Sequence, residues 1–158
     1  REMDPFFRSG RCLFVLNRAG KKLIHEIKYH GVRGVLQDMP HWLDRTPGIR
    51  EFLAGSVLVP VPLHRSRVRS RGFNQSLWIA QAISKEMGGE TTVLDLLERK
   101  RDTSTQTRLD RSARKANVKN AFALKSRTCL DKKKPMVQFV PDRPVNDYEQ
   151  SLHYHPYV

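Results

Sequence analysis

Four arginines at alternate positions, Arg65, Arg67, Arg69 and Arg71, follow a short apolar run ending in two prolines, in "VLVPVPLHRSRVRSRGFNQ" (57–75). Guanidinium groups bind phosphate through paired N–H donors of fixed geometry. Backbone amides entering a helix would add further donors. The chemistry suggested is capture of a phosphate or pyrophosphate. An alternating row faces one way only if its segment is extended. As a loop, 62–71 aims one or two of the four at a ligand and leaves the rest as surface charge. His64 lies in the same stretch and is a further candidate contact. The competing reading is an exposed basic loop, in which Gly72-Phe73-Asn74 turns the chain and anchors Phe73 in the core.

A second basic segment, "ERKRDTSTQTRLDRSARKANVKNAF" (98–122), sets many Lys and Arg between 99 and 119 against Asp102 and Asp110. Its scarcity of large apolar residues prevents it from building a core alone. It reads as a long loop with some helix. Two roles fit: a lid closing on an anion and excluding water, or an arm binding nucleic acid. It carries no aromatic residue before Phe122, which argues against base stacking as its mode of binding.

The elements around these segments must position them. "SVLVPV" (56–61) predicts a short buried strand whose ladder Pro60 and Pro62 end, since proline donates no hydrogen bond. Asn74 predicts an N-cap for a helix over "QSLWIAQAISKEM", with Gly88-Gly89 closing it. "TTVLDLL" predicts a second strand. Strand, loop, helix and strand within about forty residues form a βαβ unit and imply a parallel sheet. Ligands of such sheets bind beyond the carboxyl ends of the strands, and 62–71 leaves one such end. Upstream, residues 13–45 read as helical, with Leu16, Leu23, Ile24 and Ile27 at helix spacing. Gly31 stops the first helix, Pro40 interrupts the next, and "RTPGIREF" turns and restarts. "NAFAL" predicts a short strand and "PMVQFVPD" a third parallel strand. Residues 143–158 lack periodicity and are expected to form an irregular tail.

At 158 residues the chain is expected to be one domain, and its formal charge of +13 favours polyanions as partners. No run of about 18 apolar residues is present, so no membrane-spanning helix is expected, and no signal peptide is visible. Cys12 and Cys129 form neither a metal motif nor a disulfide framework, which fits a reducing cytoplasm. His25 reads as structural or exposed. His153 and His155 have metal-like spacing, but two ligands on a tail make a poor site, and no metal site is expected.

The stretch "PVPLHRSRVRSRGFNQ", followed by Arg99, Arg101, Thr103, Gln106, Leu109, Arg114, Asn117 and Ala121-Phe122, resembles the ComF family of competence-related, phosphoribosyltransferase-like proteins. "KYHG" (28–31) is similar to the family's early helix, and the resemblance covers roughly residues 20–124. It implies a type I phosphoribosyltransferase fold over 13–142, a parallel sheet flanked by helices with a flexible basic hood and an incomplete C-terminal part. It also implies 5-phosphoribosyl 1-pyrophosphate with Mg²⁺ as ligands, and DNA uptake as context, with competence or recombination proteins as partners. His64, Arg67, Arg71 and Gly72 would line the pyrophosphate. Arg99, Arg101, Thr103, Gln106, Arg114 and Asn117 would belong to the hood.

Two departures qualify the implication. The family's four-cysteine zinc ribbon is absent, so no zinc is expected. Where the family has two adjacent acids and a Thr-Thr-Gly turn, this chain reads "VQFVPDRPVND". Asp142 is the remnant of the ribose-binding pair, and Pro141 and Pro144 offer no amide hydrogen to a phosphate. A frameshift or truncation would produce that pattern. The expected activity is therefore impaired catalysis with retained binding of phosphorylated small molecules. The alternatives are a non-specific single-stranded nucleic-acid-binding module and an inactive remnant.

Overall fold

The computed structural model describes residues 9–13, 17–103, 109–125 and 134–138. Helices and strands are mixed, as expected of an α/β chain. The expected tail, Gln106, Cys129 and Asp142 lie outside the described residues.

The chain enters helix α1 (Arg18–His25), where Asn17 Oδ1 accepts from Gly20 N at 2.9 Å. The helix widens into a π turn over Glu26–His30, and Gly31 ends it at φ 63° by donating its N–H to Glu26 O. The predicted stop at Gly31 is thus observed. A 3₁₀ turn (Gly34–Asp38) leads into α2 (Met39–Asp44). Pro40 does not interrupt a helix there. It sits in the first turn of α2, where a missing N–H has no intrahelical partner to lose. Gly48, left-handed at φ 69°, restarts the chain as α3 (Ile49–Leu53).

Strand β1 (Ser56–Pro60) is buried along its whole length. It lies between two parallel neighbours, β2 (Thr92–Val93) and β5 (Lys134–Gln138). Between β1 and β2 run α4 (Arg65–Arg71) and α5 (Gln75–Glu86), which completes the predicted βαβ unit. Asn74 caps α5 as predicted, its Oδ1 accepting from Ser76 N at 3.0 Å. Its Nδ2 donates to Val61 O at 3.0 Å, which ties the start of α5 to the end of β1.

"TTVLDLL" is not one strand. Thr92–Val93 pairs with β1, and the chain then leaves the sheet to form β3 (Leu97–Arg99), antiparallel to β4 (Phe122–Leu124). The pairing changes at Leu94–Leu96, where Leu94 N still reaches Leu58 O at 3.0 Å and Lys125 N reaches Leu96 O at 2.8 Å. Between β3 and β4 lies α6 (Arg111–Val118), capped by Asp110 Oδ1 on Ala113 N at 2.8 Å. The second basic segment is therefore built partly of strand and helix.

The core joins Met39, Leu43, Ile49 and Leu53 of the α2–α3 layer to Leu58 of β1 and to Ile79, Ala80, Ile83 and Met87 of the α5 segment. Each large side chain buried there contributes roughly 1.5–3 kcal/mol. That packing fixes α5 against β1, and hence the place where the arginine-rich segment emerges.

Candidate functional site

The segment expected to be a loop is mostly helical. Residues 61–63 are irregular, His64 is extended at φ −65°, ψ 151°, and α4 runs from Arg65 to Arg71. Gly72 closes it in the left-handed region at φ 82°, its N–H donating to Val68 O at 2.7 Å. Arginine is a good helix former, and Arg69 and Arg71 in the last turn complement the helix dipole. On a helix, residues four apart share a side. The alternating row therefore splits into two pairs: Arg65 and Arg69 are exposed, and Arg67 and Arg71 turn inward, half-buried.

Both inward arginines are engaged by the protein itself. Arg67 Nη2 donates to Thr103 O at 2.9 Å, and its Nε lies 3.4 Å from Asp102 Oδ1. Arg71 Nη1 donates to Gln75 Oε1 at 2.9 Å, and its guanidinium lies over the Tyr29 ring at 5.3 Å from the centroid. The two therefore serve different neighbours.

Asp102 is the centre of the first of these contacts. Ser66 Oγ donates to its Oδ2 at 2.6 Å. With the single Ser66 proton committed there, His64 donates Nδ1–H to Ser66 Oγ at 2.8 Å. The 3.4 Å approach of Ser66 N to the same Nδ1 is the capping contact of the other tautomer. The chain of bonds runs His64, Ser66, Asp102, with serine between the other two. In a hydrolase triad the imidazole lies between serine and acid, so this arrangement does not activate a nucleophile. It pins α4 to the segment after β3. The Ser66 hydrogen bond, joined by Arg67 and His64, holds the Asp102 carboxyl below the ordinary carboxylate range despite some opposing desolvation.

Around this clamp opens a cleft of about 400 Å³ lined by His64, Arg65, Glu98, Arg99 and Lys100. It lies beyond the carboxyl end of β1, where a parallel β-bridge joins His64 to Arg99. Arg99 Nη2 donates to Thr103 Oγ1, and its guanidinium lies 5.5 Å from the Phe122 ring centroid. Thr103 is almost fully buried. Another cleft, about 500 Å³, is bordered by Arg50, Glu51, Ala54, Glu86, Met87, Gly88 and Glu90 at the opposite end of β1. Three acids there offset one arginine, so it suits an anion poorly.

The structure brings together His64, Arg67, Arg99 and Thr103 from the sequence-based set. It directs Arg71 elsewhere, and Gly72 acts as the helix stop. Arg101 Nη1 binds Lys119 O at 2.9 Å, and Arg114 Nε binds Leu109 O at 2.7 Å, local contacts that brace α6 and its approaches. Asn117 is half-buried on α6. The residues missed were Ser66, Asp102 and Lys100. The available signal for Asp102 was its charge, an acid embedded among cations that need a partner.

Mg²⁺ has no ready cradle among the described residues of this cleft. Glu98 pairs with Lys100 at 3.5 Å, and Asp102 is committed to Ser66 and Arg67. The cleft therefore carries more cationic than acidic side chains and lies at the carboxyl end of a parallel βαβ unit.

The chain is similar to Competence protein F of Haemophilus influenzae, with 30% identity over 95 residues, covering 52% of this chain and 41% of the relative. It thus spans less than half of that relative's length. No family model matches the chain, and no solved structure matches it. Among the described residues, no helix is long and apolar enough to cross a membrane.

Proposed function

We propose that this chain is a ComF-like, phosphoribosyltransferase-fold protein with a competence-related role, and that it binds phosphate-rich ligands without efficient catalysis. The observation that carries the reading is the cleft beyond β1, where Arg65, Arg99, Lys100 and His64 converge at the place where parallel sheets take their ligands. The similarity to Competence protein F supports the same reading. Arg65 is exposed and able to close on a phosphate, Lys100 would do so by exchanging its contact with Glu98 for the ligand, and Arg67 stiffens the wall behind them. The substrate class implied is a pyrophosphorylated sugar such as 5-phosphoribosyl 1-pyrophosphate. Metal would enter with the pyrophosphate, since Glu98, the one acid among the residues lining the cleft, already faces Lys100.

Calorimetry with inorganic pyrophosphate and with 5-phosphoribosyl 1-pyrophosphate plus Mg²⁺, at low salt, tests this. The expected result is weak binding, with Kd about 1 mM or roughly 4 kcal/mol, reduced at least several-fold in the R65E/K100E variant. No heat from the wild-type chain, or equal heat from the variant, would overturn the reading.

A second reading, a surface for single-stranded nucleic acid, has its own supporting observation. Arg33 lies over Trp78 at 4.5 Å and Arg71 over Tyr29 at 5.3 Å, while Trp78 stacks on Phe73 at 4.1 Å. Arginine interleaved with aromatic rings is the composition of a stacking platform. It lies on the π turn and the start of α5, not in the segment after β3.

A further inference from the structure

The π turn that ends the first helix groups three side chains with metal-binding atoms. His25, Glu26 and His30 each offer one ligand atom, and these atoms all lie within 4.8 Å of one another. In an α-helix, residues three and four apart share a side and residues five apart do not. The turn over Glu26–His30 is closed by an i+5 hydrogen bond, from Gly31 N to Glu26 O. This widening brings the rings of His25 and His30 to 5.7 Å between centroids. π turns of this kind occur preferentially at functional positions.

We propose that His25, Glu26 and His30 form a binding site for a divalent transition-metal ion of the Zn²⁺ class. Two imidazoles and one carboxylate are a donor set that Zn²⁺ accepts, with a fourth position left to water. At metal–ligand distances near 2.0–2.2 Å, tetrahedral ligand atoms stand roughly 3.4 Å apart, so the three groups close in by an ångström or so. His25 and His30 are exposed and free to rotate that far. The Tyr29 ring lies 4.6 Å from the His25 ring and gives it a wall on one side. Glu26 supplies the negative charge. Exposed Lys21 and Lys22, one turn earlier, oppose a cation and weaken its binding. Mg²⁺ and Ca²⁺, which demand oxygen ligands, are excluded by the two imidazoles.

The test is titration of the full, chelator-stripped chain with Co²⁺, read by its visible absorption, followed by displacement with Zn²⁺. The variants are H30A and the tail control H153A/H155A. His30 is on the surface, so H30A should melt like the wild type without metal, and H25Q serves as a second variant if it does not. Expected are one metal per chain, affinity at least tenfold weaker in H30A or H25Q, and a Zn²⁺-dependent rise in Tm that those variants lose. H153A/H155A should bind as the wild type does. Unchanged affinity in both histidine variants, loss of binding in the tail control, or no bound metal in the wild type would each overturn the proposal.

Discussion

Asp102 decides how much of the arginine row is left for a ligand. It accepts from Ser66 and faces Arg67, and so converts an inward guanidinium from a free anion receptor into part of a wall. Its depressed pKa carries a sign. Because the folded-state value lies below the unfolded one, the clamp stabilises the protein fully above the ordinary carboxylate range. The contribution is lost as pH falls through the depressed value. Asp102→Asn is therefore expected to lower Tm slightly at pH 7, the carboxylate being half exposed, and the gap to wild type should close in acid. Thermal melts of both proteins from pH 7 to pH 2.5 check this, and a gap that widened toward low pH would contradict it. The clamp was hard to read beforehand because its members stand 35 and 36 positions apart. Nothing local marks Ser66 or Asp102 as partners, whereas Asn74, which acts two residues away, was legible as a cap.

At the scale of elements, local signals are legible in the sequence and long-range ones are not. The strand over 56–60, the α5 helix with its cap, and the third parallel strand all follow from runs of one residue type or one period. Helix α4 did not, because arginines at every second position imitate an extended segment and Val68 alone offers an apolar clue. The stop signal at Gly72 was the available correction. The π turn had no signature either, since one inserted residue leaves the apolar spacing of Leu23, Ile24 and Ile27 undisturbed. Gly31 is the element's fixed point. A side chain there would sit at φ 63°, with its Cβ 3.1 Å from Phe73 Cε1. Gly31→Ala is expected to cost roughly 1–2 kcal/mol for the left-handed backbone alone, a fall of several degrees in Tm. Gly34→Ala, where a Cβ meets nothing within 4 Å, is the control and should be neutral or slightly stabilising. Equal melting of the two variants would contradict the assigned role of Gly31.

For the whole molecule, the charge of +13 guarantees attraction to polyanions but not a defined site. Salt dependence separates the two. If Arg33 and the exposed cations around it grip single-stranded DNA, about three or four phosphate contacts give a log–log salt slope near −2 to −3. Tyr29→Ala should weaken that binding by roughly 1–3 kcal/mol through lost stacking. Anisotropy of a labelled oligothymidine at several salt concentrations measures both. A salt slope without any effect of Tyr29 would leave a diffuse electrostatic film in place of a platform. Strand order has a consequence for biogenesis as well. The centre strand, Ser56–Pro60, finds its longest partner in Lys134–Gln138, about 80 residues later. A ribosome adding about 5–20 residues per second exposes the two ends of that pairing several seconds apart. During that interval the apolar strand Ser56–Pro60 has one flank open, a template on which another chain could pair.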